Sequence, residues 1–270
     1  MQDNLLFHKI HRHHSSREWV VFVHGAGGSS SIWCKQIRAY KAHFNLLLID
    51  LRGHGKSNRL LQDIITQRYT FRDVSRDILH VMDHLNIPQA HFVGMSLGTI
   101  IVRTLAEIAA HRVQSMVLGG AVTRFNARSQ ILVTLGGVFK HIIPYMWLYR
   151  LFAYIVMPQR NQRQSRLLFI GEAKKLCQKE FKRWYILTSE VNPLMRYFKD
   201  KELAIPTLYV MGELDYMFIQ PVKEMVAAHK HSRLLELEDC GHVCNIEKAD
   251  EFNQHSIRFI QEQVSITSLS

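Results

Sequence analysis

The stretch AHFVGMSLG, residues 90–98, decides the fold of this chain. A short apolar run leads into residues 97–108, whose composition and spacing suit a helix. The turn between them is so tight that the serine must take a strained conformation, and glycines two positions away on each side remove Cβ atoms that would collide. The G-x-S-x-G pattern therefore predicts a strand, a turn that presents Ser96, and a helix whose first amides favour negative charge.

Similar apolar runs recur along the chain, separated by amphipathic segments. Continuous apolar runs are typical of strands buried on both faces of a parallel sheet. The predicted strands are 19–23, 46–50, 90–95, 113–119, 207–212 and 234–238, and the predicted helices are 71–85, 97–108, 221–229 and 248–264. This alternation predicts a mostly parallel, doubly wound α/β sheet.

The alternation stops between residues 122 and 205. This segment is helical in pattern, with predicted helices at 145–155 and 171–187, and it is rich in aromatic side chains. Strand character resumes at Pro206. We therefore expect a core domain made of residues 1–121 and 206–270, with residues 122–205 inserted as a helical cap, or lid.

The formal net charge of +11 is concentrated in the predicted cap. Residues 122–205 hold 15 Lys and Arg against 5 Asp and Glu, a net of +10. No nucleic-acid motif accompanies these cations, so no nucleic-acid partner is expected. A solvated helical face is the simplest interpretation. The alternatives are an anionic substrate, or weak association with an anionic membrane surface through the basic cap.

The four cysteines predict neither disulfides nor a metal site. No C-x-x-C pair occurs. Cys240, His242 and Cys244 lie close together, but their alternate spacing is unusual for zinc and no fourth ligand suggests itself. We expect no metal and no organic cofactor. Residues 1–14 lack the apolar run of a signal peptide, and no uncharged apolar stretch reaches about 18 residues, so a cytoplasmic protein is expected.

A glycine-rich loop, His24-Gly25-Ala26-Gly27-Gly28, follows the first strong strand. Its glycines allow the backbone to curl so that an amide, which we assign to Ala26, points at Ser96. Together with the amide of Leu97 it would form an oxyanion hole. The alternative is a plain glycine-rich turn. A dinucleotide-binding loop is disfavoured, because the G-x-G-x-x-G spacing is absent.

Two partners for Ser96 follow later strands. Asp215 comes after strand 207–212 and His242 after strand 234–238. The carboxyl ends of parallel strands share one edge of a sheet, so the three side chains are expected to meet there. His242 could then take the serine proton while Asp215 holds the imidazole tautomer.

Other residues compete for these roles. Asp239 is only three residues from His242, too close to approach its far nitrogen, and Glu213 is expected to point away. His24 more simply braces its loop, and His54 belongs to a stretch, 50–57, that reads as a structural loop. Asp215 and His242 remain the preferred pair.

The motifs together resemble the α/β-hydrolase superfamily. These are H-G-x-G-G at 24–28, D-x-R-G-H-G-x-S at 50–57, G-x-S-x-G at 94–98, G-x-x-D at 212–215 and G-H at 241–242. The subgroup resembled includes carboxylesterases, enol-lactonases and carbon–carbon bond hydrolases. Serine at position 96 differs from epoxide hydrolases and haloalkane dehalogenases, which use aspartate there. Because about 18 residues precede the first strong strand, the usual antiparallel edge strands are expected to be reduced.

This resemblance implies a serine hydrolase that cleaves a carboxylic ester, or a related lactone or thioester, through an acyl-enzyme. The aromatic and aliphatic cap suggests a small-molecule substrate with a medium apolar acyl group. One alternative is a carbon–carbon bond hydrolase or lyase of the same fold acting on an anionic substrate. An alternative of another class is a catalytically silent small-molecule-binding protein.

Overall fold

The structure, a computed structural model, describes residues 5–58, 69–123, 143–176 and 178–267 of the 270-residue chain. In these residues seven strands form one sheet in the order β1-β3-β2-β4-β5-β6-β7. Strand β1 is antiparallel to β3 and every other pairing is parallel. The strands are β1 His8–His11, β2 Trp19–Val23, β3 Asn45–Ile49, β4 Ala90–Met95, β5 Val113–Gly119, β6 Thr207–Gly212 and β7 Ser232–Leu237.

Nine α-helices accompany the sheet within the same described ranges. Six of them lie outside residues 122–205, in the parts of the chain that hold the strands: α1 Cys34–Lys41, α2 Phe71–His84, α3 Leu97–Ile108, α7 Ile219–Ala228, α8 Cys244–Glu247 and α9 Ala249–Thr267. The other three lie between β5 and β6: α4 Tyr145–Val156, α5 Arg163–Ala173 and α6 Gln178–Asp200. None of the described helices is both long and apolar enough to cross a membrane.

The sheet is covered on both faces because alternate strand residues point to opposite sides. Val21 and Val23 of β2 belong to a core cluster that includes α2 and α3, whereas Val20 and Phe22 belong to one that includes α1 and α9. All five residues of β2 are buried. The predicted doubly wound α/β sheet is thus confirmed. Among the described strands, β1 is the one antiparallel strand, and it lies beside β3 at the edge of the sheet.

One of the predicted helices is divided between two helices in the structure. The sequence pattern predicts a single helix over 171–187, but α5 ends at Ala173 and α6 begins at Gln178. The break lets Ala173, Leu176 and Phe181 cluster around Tyr149 of α4. The carbonyl of Leu176 also accepts a hydrogen bond from Tyr145. Packing among three helices therefore overrides the local helical pattern.

The three described helices between β5 and β6, which we call the cap, are fastened to the loops at the carboxyl end of the sheet. Tyr69 donates a hydrogen bond of 2.8 Å to Glu180, and the indole of Trp184 donates one of 3.1 Å to the carbonyl of Arg52. Ser29 donates to Glu172 at 2.7 Å. Helices α5 and α6 therefore cover the edge at which β2, β3 and β4 end.

The first turn of α3 permits a stability test. A Cβ at Gly98 would lie 2.3 Å from the carbonyl oxygen of Val23, so Gly98→Ala should lower the free energy of unfolding by about 2 kcal/mol or more. At Gly171 of α5 nothing lies within 4 Å of an added Cβ, and Gly171→Ala should raise it by about 0.5 kcal/mol. Urea unfolding of both variants checks this. Equal effects would contradict the packing assigned to α3.

Candidate active site

Ser96 sits on a strained turn between β4 and α3. Its backbone has φ 53° and ψ −121°, in the left-handed half of conformational space that side chains rarely occupy. A Cβ at Gly94 would lie 3.0 Å from the carbonyl oxygen of Gly98, so the flanking glycines are needed for the turn to close. The amide of Ser96 donates to the carbonyl of Gly119 on β5 at 2.9 Å. The sheet therefore holds the strained residue in place.

Three side chains from three strand ends meet at this turn. His242 Nε2 lies 2.9 Å from Ser96 Oγ, and His242 Nδ1 lies 2.8 Å from Asp215 Oδ2. Asp215 and His242 are both buried. An ionised carboxylate can only accept, so Nδ1 carries the proton and Nε2 is the acceptor for the serine hydroxyl. The residues predicted from the sequence are thus in one chain of hydrogen bonds.

The turns after β6 and β7 hold the acid and the histidine together. The amide of Leu214 donates to the carbonyl of Cys240 at 2.8 Å, and a Cβ at Gly212 would lie 2.2 Å from the carbonyl oxygen of Gly241. The two loops therefore approach more closely than a side chain at position 212 would allow. This contact sets the position of Asp215 relative to His242.

The rival acids lie in other contacts. Glu213 is exposed, and its carboxylate accepts from the amide of Asp239 at 3.2 Å. Asp239 is also exposed, with a φ of 49°. Each therefore faces solvent rather than the imidazole of His242, as the sequence argument expects.

The glycine-rich loop lies against the serine turn. A Cβ at Gly25 would be 3.0 Å from Ser96 Cβ and 3.6 Å from the amide nitrogen of Leu97. The amides of Gly27 and Gly28 donate to His54 and to the carbonyl of Gly25.

Two amides remain available beside the serine. Within the described ranges, neither the amide of Ala26 nor that of Leu97 has a hydrogen-bond partner, and both residues line the cavity beside Ser96. Leu97 begins α3, and first-turn amides of a helix have no partner inside it.

His24 and His54 are buried supports of this loop. His24 Nε2 accepts from the amide of Leu51 at 3.0 Å, and His54 Nε2 accepts from the amide of Gly27 at 3.0 Å. Their Nδ1 atoms donate to the carbonyls of Gly25 and Arg52. Burial lowers the pKa of His54 to about 3 and also lowers the pKa of His24. Both rings are therefore neutral acceptors, and His54 contributes more to the loop than the sequence suggests.

The cysteines beside His242 are structural. Both ring nitrogens of His242 are engaged by Asp215 and Ser96. Cys240 and Cys244 are buried, their thiols donate to backbone carbonyls, and burial raises the pKa of each. No group of three His, Cys, Asp or Glu suited to a metal occurs among the described residues. At this position the imidazole of His242 is therefore engaged in hydrogen bonds within the protein.

A cavity of about 430 Å³ opens beside the serine. Ser96, His242 and the glycine-rich loop form its floor. Cap side chains form most of its wall, notably Leu148, Tyr149, Phe152, Phe169, Phe181 and Trp184. The sequence singled out the cap aromatics only as a group. Which of them face the cavity depends on how α4, α5 and α6 pack.

Comparison with known proteins gives the same architecture. The sequence profile of the α/β-hydrolase fold family matches residues 18–135. The 3-oxoadipate enol-lactonase 1 of Acinetobacter baylyi is 24% identical over 250 residues, which cover 90% of this chain and 88% of the lactonase. A putative carbamate hydrolase RutD of Pseudomonas savastanoi is 25% identical over 271 residues, which cover 96% of this chain and 100% of that protein.

Among solved structures, the enol-lactonase of Burkholderia xenovorans has a TM-score of 0.79 at 23% identity, covering 95% of this chain and 96% of the lactonase. The sheet and this structural match together show that the chain has the α/β-hydrolase fold. The chain is similar to members of the α/β-hydrolase superfamily, as its motifs predict, and the relatives it resembles support hydrolase activity.

The neutral His54 predicts a pH dependence of stability. Its pKa is about 3 in the folded chain against 6.5 for the free side chain, so the unfolded chain binds the extra proton as pH falls below 6.5. Stability is therefore fully present above 6.5 and declines toward pH 3, by up to about 1.4 kcal/mol per pH unit from this residue.

Urea unfolding across this pH window tests the assignment. His54→Gln can keep both hydrogen bonds without titrating, and it should flatten the slope of unfolding free energy against pH by about 1 kcal/mol per unit. The matched control, His255→Gln, replaces an exposed histidine of α9. A slope unchanged by His54→Gln would show that His54 does not stay neutral in the fold.

Proposed function

We propose that this chain is a serine hydrolase that cleaves a carboxylic ester, or a related lactone or thioester, through an acyl-enzyme. The observation that carries the proposal is the continuous hydrogen-bond chain from Ser96 Oγ through the imidazole of His242 to the buried carboxylate of Asp215. A catalytically silent binding protein would have no need of this arrangement. The enol-lactonase and carbamate hydrolase relatives also support hydrolysis at a carbonyl.

In the first half of the reaction Ser96 Oγ attacks the substrate carbonyl carbon while its proton moves to His242 Nε2. The new C–O bond forms as the carbonyl π electrons move onto oxygen. The intermediate then collapses, the bond to the leaving alcohol breaks, and the alcohol takes the proton from Nε2. Asp215 stabilises the imidazolium that exists between these steps, because its carboxylate already accepts from Nδ1.

In the second half a water molecule replaces the alcohol. His242 Nε2 removes a proton from the water as it attacks the acyl carbon, and then returns that proton to Ser96 Oγ. The acid leaves and the serine hydroxyl is restored. Each half passes through an oxyanion, for which we propose the amides of Ala26 and Leu97 as donors. Two observations support this assignment: within the described ranges these amides have no other hydrogen-bond partner, and both residues line the cavity beside Ser96.

The cavity favours an uncharged, apolar acyl group. Its described lining contains no lysine or arginine, and the one carboxylate in it belongs to Glu172. An anionic group would therefore meet an apolar wall and a negative charge. This weighs against the alternative of a carbon–carbon bond hydrolase acting on an anionic substrate. A volume of about 430 Å³ suits a small ligand with a medium-length chain.

The nucleophile and its partners can be tested by covalent labelling and turnover. Ser96→Ala should abolish labelling by a fluorophosphonate and lower kcat on a p-nitrophenyl ester by about a thousandfold or more, because the attacking oxygen is gone. Asp215→Asn should lower kcat by a similar factor, because the imidazole loses the carboxylate that fixes its tautomer.

Matched controls accompany these variants. Ser165→Ala removes another serine that lines the cavity. Glu213→Gln and Asp239→Asn remove the two rival carboxylates at the same edge of the sheet. All three should keep labelling and turnover within about threefold of the original chain. Full labelling of Ser96→Ala, or a larger loss in Asp239→Asn than in Asp215→Asn, would refute the assignment.

The acyl preference can be tested with p-nitrophenyl esters from acetate to decanoate. We expect a maximum at medium chain length, set by the cavity wall. Leu148→Trp fills part of the cavity and should lower kcat/KM for the longest accepted ester by about tenfold, with little change for acetate. Leu148→Met conserves volume and is the matched control. Equal losses on all esters in Leu148→Trp would contradict the role of this wall.

A further inference from the structure

One surface of the cap is both apolar and basic. We name it the α4–α5 face and define it by its exposed residues, which are Trp147, Arg150, Leu151, Phe152, Tyr154, Arg160, Arg163, Leu167 and Leu168. Large exposed apolar side chains are concentrated here to an extent that the described core domain does not match. Contiguous apolar surface of this kind marks an interaction site.

The two helices present these residues side by side. The rings of Phe152 and Phe169 lie 6.1 Å apart between α4 and α5, and the guanidinium of Arg166 stacks on Tyr154 at 4.9 Å. Arg166 also donates to the carbonyl of Gln159, which ties the connection between the helices. Spacings of four and three residues place Trp147, Leu151 and Tyr154 on one side of α4. The face is therefore a fixed surface of the folded cap.

The charges of this face are not balanced locally. No Asp or Glu occurs between residues 143 and 171. Within the described ranges, Arg150, Arg160 and Arg163 have no carboxylate partner, whereas cations of the core domain, such as Arg112 and Arg233, are paired with Asp83 and Glu262. The partner that complements this face is therefore anionic and also accepts apolar side chains.

The same face surrounds the mouth of the cavity. Leu151, Phe152 and Leu168 line the cavity and yet are 56%, 40% and 42% exposed, so they stand where it opens to the outside. A surface pressed against the α4–α5 face would therefore meet the entrance of the apolar cavity. The other lining residues are buried or half-buried.

We propose that the α4–α5 face docks reversibly on an anionic lipid surface. The three arginines lie among the headgroup phosphates, while Trp147 and the leucines enter the boundary between headgroups and acyl chains. Lipid fits better than a folded acidic protein, because it offers negative charge and an apolar layer over the whole face. One consequence, which rests on the proposed function, is that an apolar ester dissolved in the lipid enters the cavity directly.

The four tryptophans make the test direct. Trp147 is 64% exposed, whereas Trp19, Trp33 and Trp184 are 9% exposed or less. With vesicles of phosphatidylcholine and phosphatidylglycerol in equal parts, we expect the emission to shift to the blue and iodide quenching to fall. Vesicles of phosphatidylcholine alone should change neither signal. Trp147→Phe should lose the shift while still sedimenting with the anionic vesicles.

Charge variants separate this face from general basicity. The combined variant Arg150→Gln, Arg160→Gln and Arg163→Gln should bind the anionic vesicles more weakly, by roughly fivefold for each arginine removed. Raising the salt concentration from about 0.05 M to about 0.5 M should also weaken the binding of the original chain. The matched control removes the same charge from exposed arginines outside residues 122–205, Arg17, Arg38 and Arg72, and should leave binding within about twofold.

Several results would overturn the proposal. Equal binding to neutral and anionic vesicles would remove the role of the arginines. An equal loss in the control triple variant would show that only net charge matters. The emission of Trp147 could instead shift to the blue without vesicles as the protein concentration rises, while the measured mass doubles. That result would mean that a second copy covers the face. Ser96→Ala should bind vesicles as well as the original chain does. The vesicle test can therefore fail or succeed independently of the catalytic proposal.

Discussion

The close approach of α3 to the end of β2 is the contact on which the site depends. A single Cβ at Gly98 would fall within 2.3 Å of the carbonyl oxygen of Val23, so only a glycine permits this distance. Because the helix begins there, its free amide at Leu97 lies beside the loop that leaves β2. The serine is held on the strained turn between them. The positions of the proposed nucleophile and of the proposed oxyanion donors thus depend on the same backbone contact.

The chain holds 16 histidines, and the structure separates the three buried ones at this edge by what faces them. His24 and His54 face backbone amides with Nε2 and backbone carbonyls with Nδ1, so a neutral ring satisfies both. His242 instead faces a carboxylate with Nδ1, and that partner stabilises a transient positive charge. The identity of the partner, not burial, therefore distinguishes the proposed proton acceptor, His242, from the two histidines that support the loop.

Sequence and structure agree where local rules decide the outcome. Strands β2, β4, β5 and β6 run over the predicted residues, because continuous apolar runs and the turns after them leave little choice. The meeting of Ser96, Asp215 and His242 followed from the rule that parallel strands end at one edge. The carboxylate was harder to choose, since Glu213 and Asp239 lie within three residues of the strand ends, and geometry alone separated them.

Elsewhere the outcome depends on contacts between residues distant in sequence. The break between α5 and α6 is set by packing on Tyr149, and no local pattern encodes it. The hydrogen bond from Ser29 to Glu172 joins residues 143 positions apart, and the support of Gly27 by His54 is likewise nonlocal. The identity of the cavity wall and the support of Gly27 by His54 could not be read from single segments for this reason.

The cap combines two properties that composition alone merges. Its positive charges and its aromatic side chains occur in the same stretch of sequence, so the sequence alone leaves an anionic substrate as an alternative. In the structure the two properties are separated: the cavity lining holds aromatic and aliphatic side chains, whereas Arg150, Arg160 and Arg163 are exposed and do not line the cavity. The positive charge outside the cavity and the apolar surface inside it therefore act on different binding partners. The first acts on what the cap approaches, and the second on what reaches Ser96.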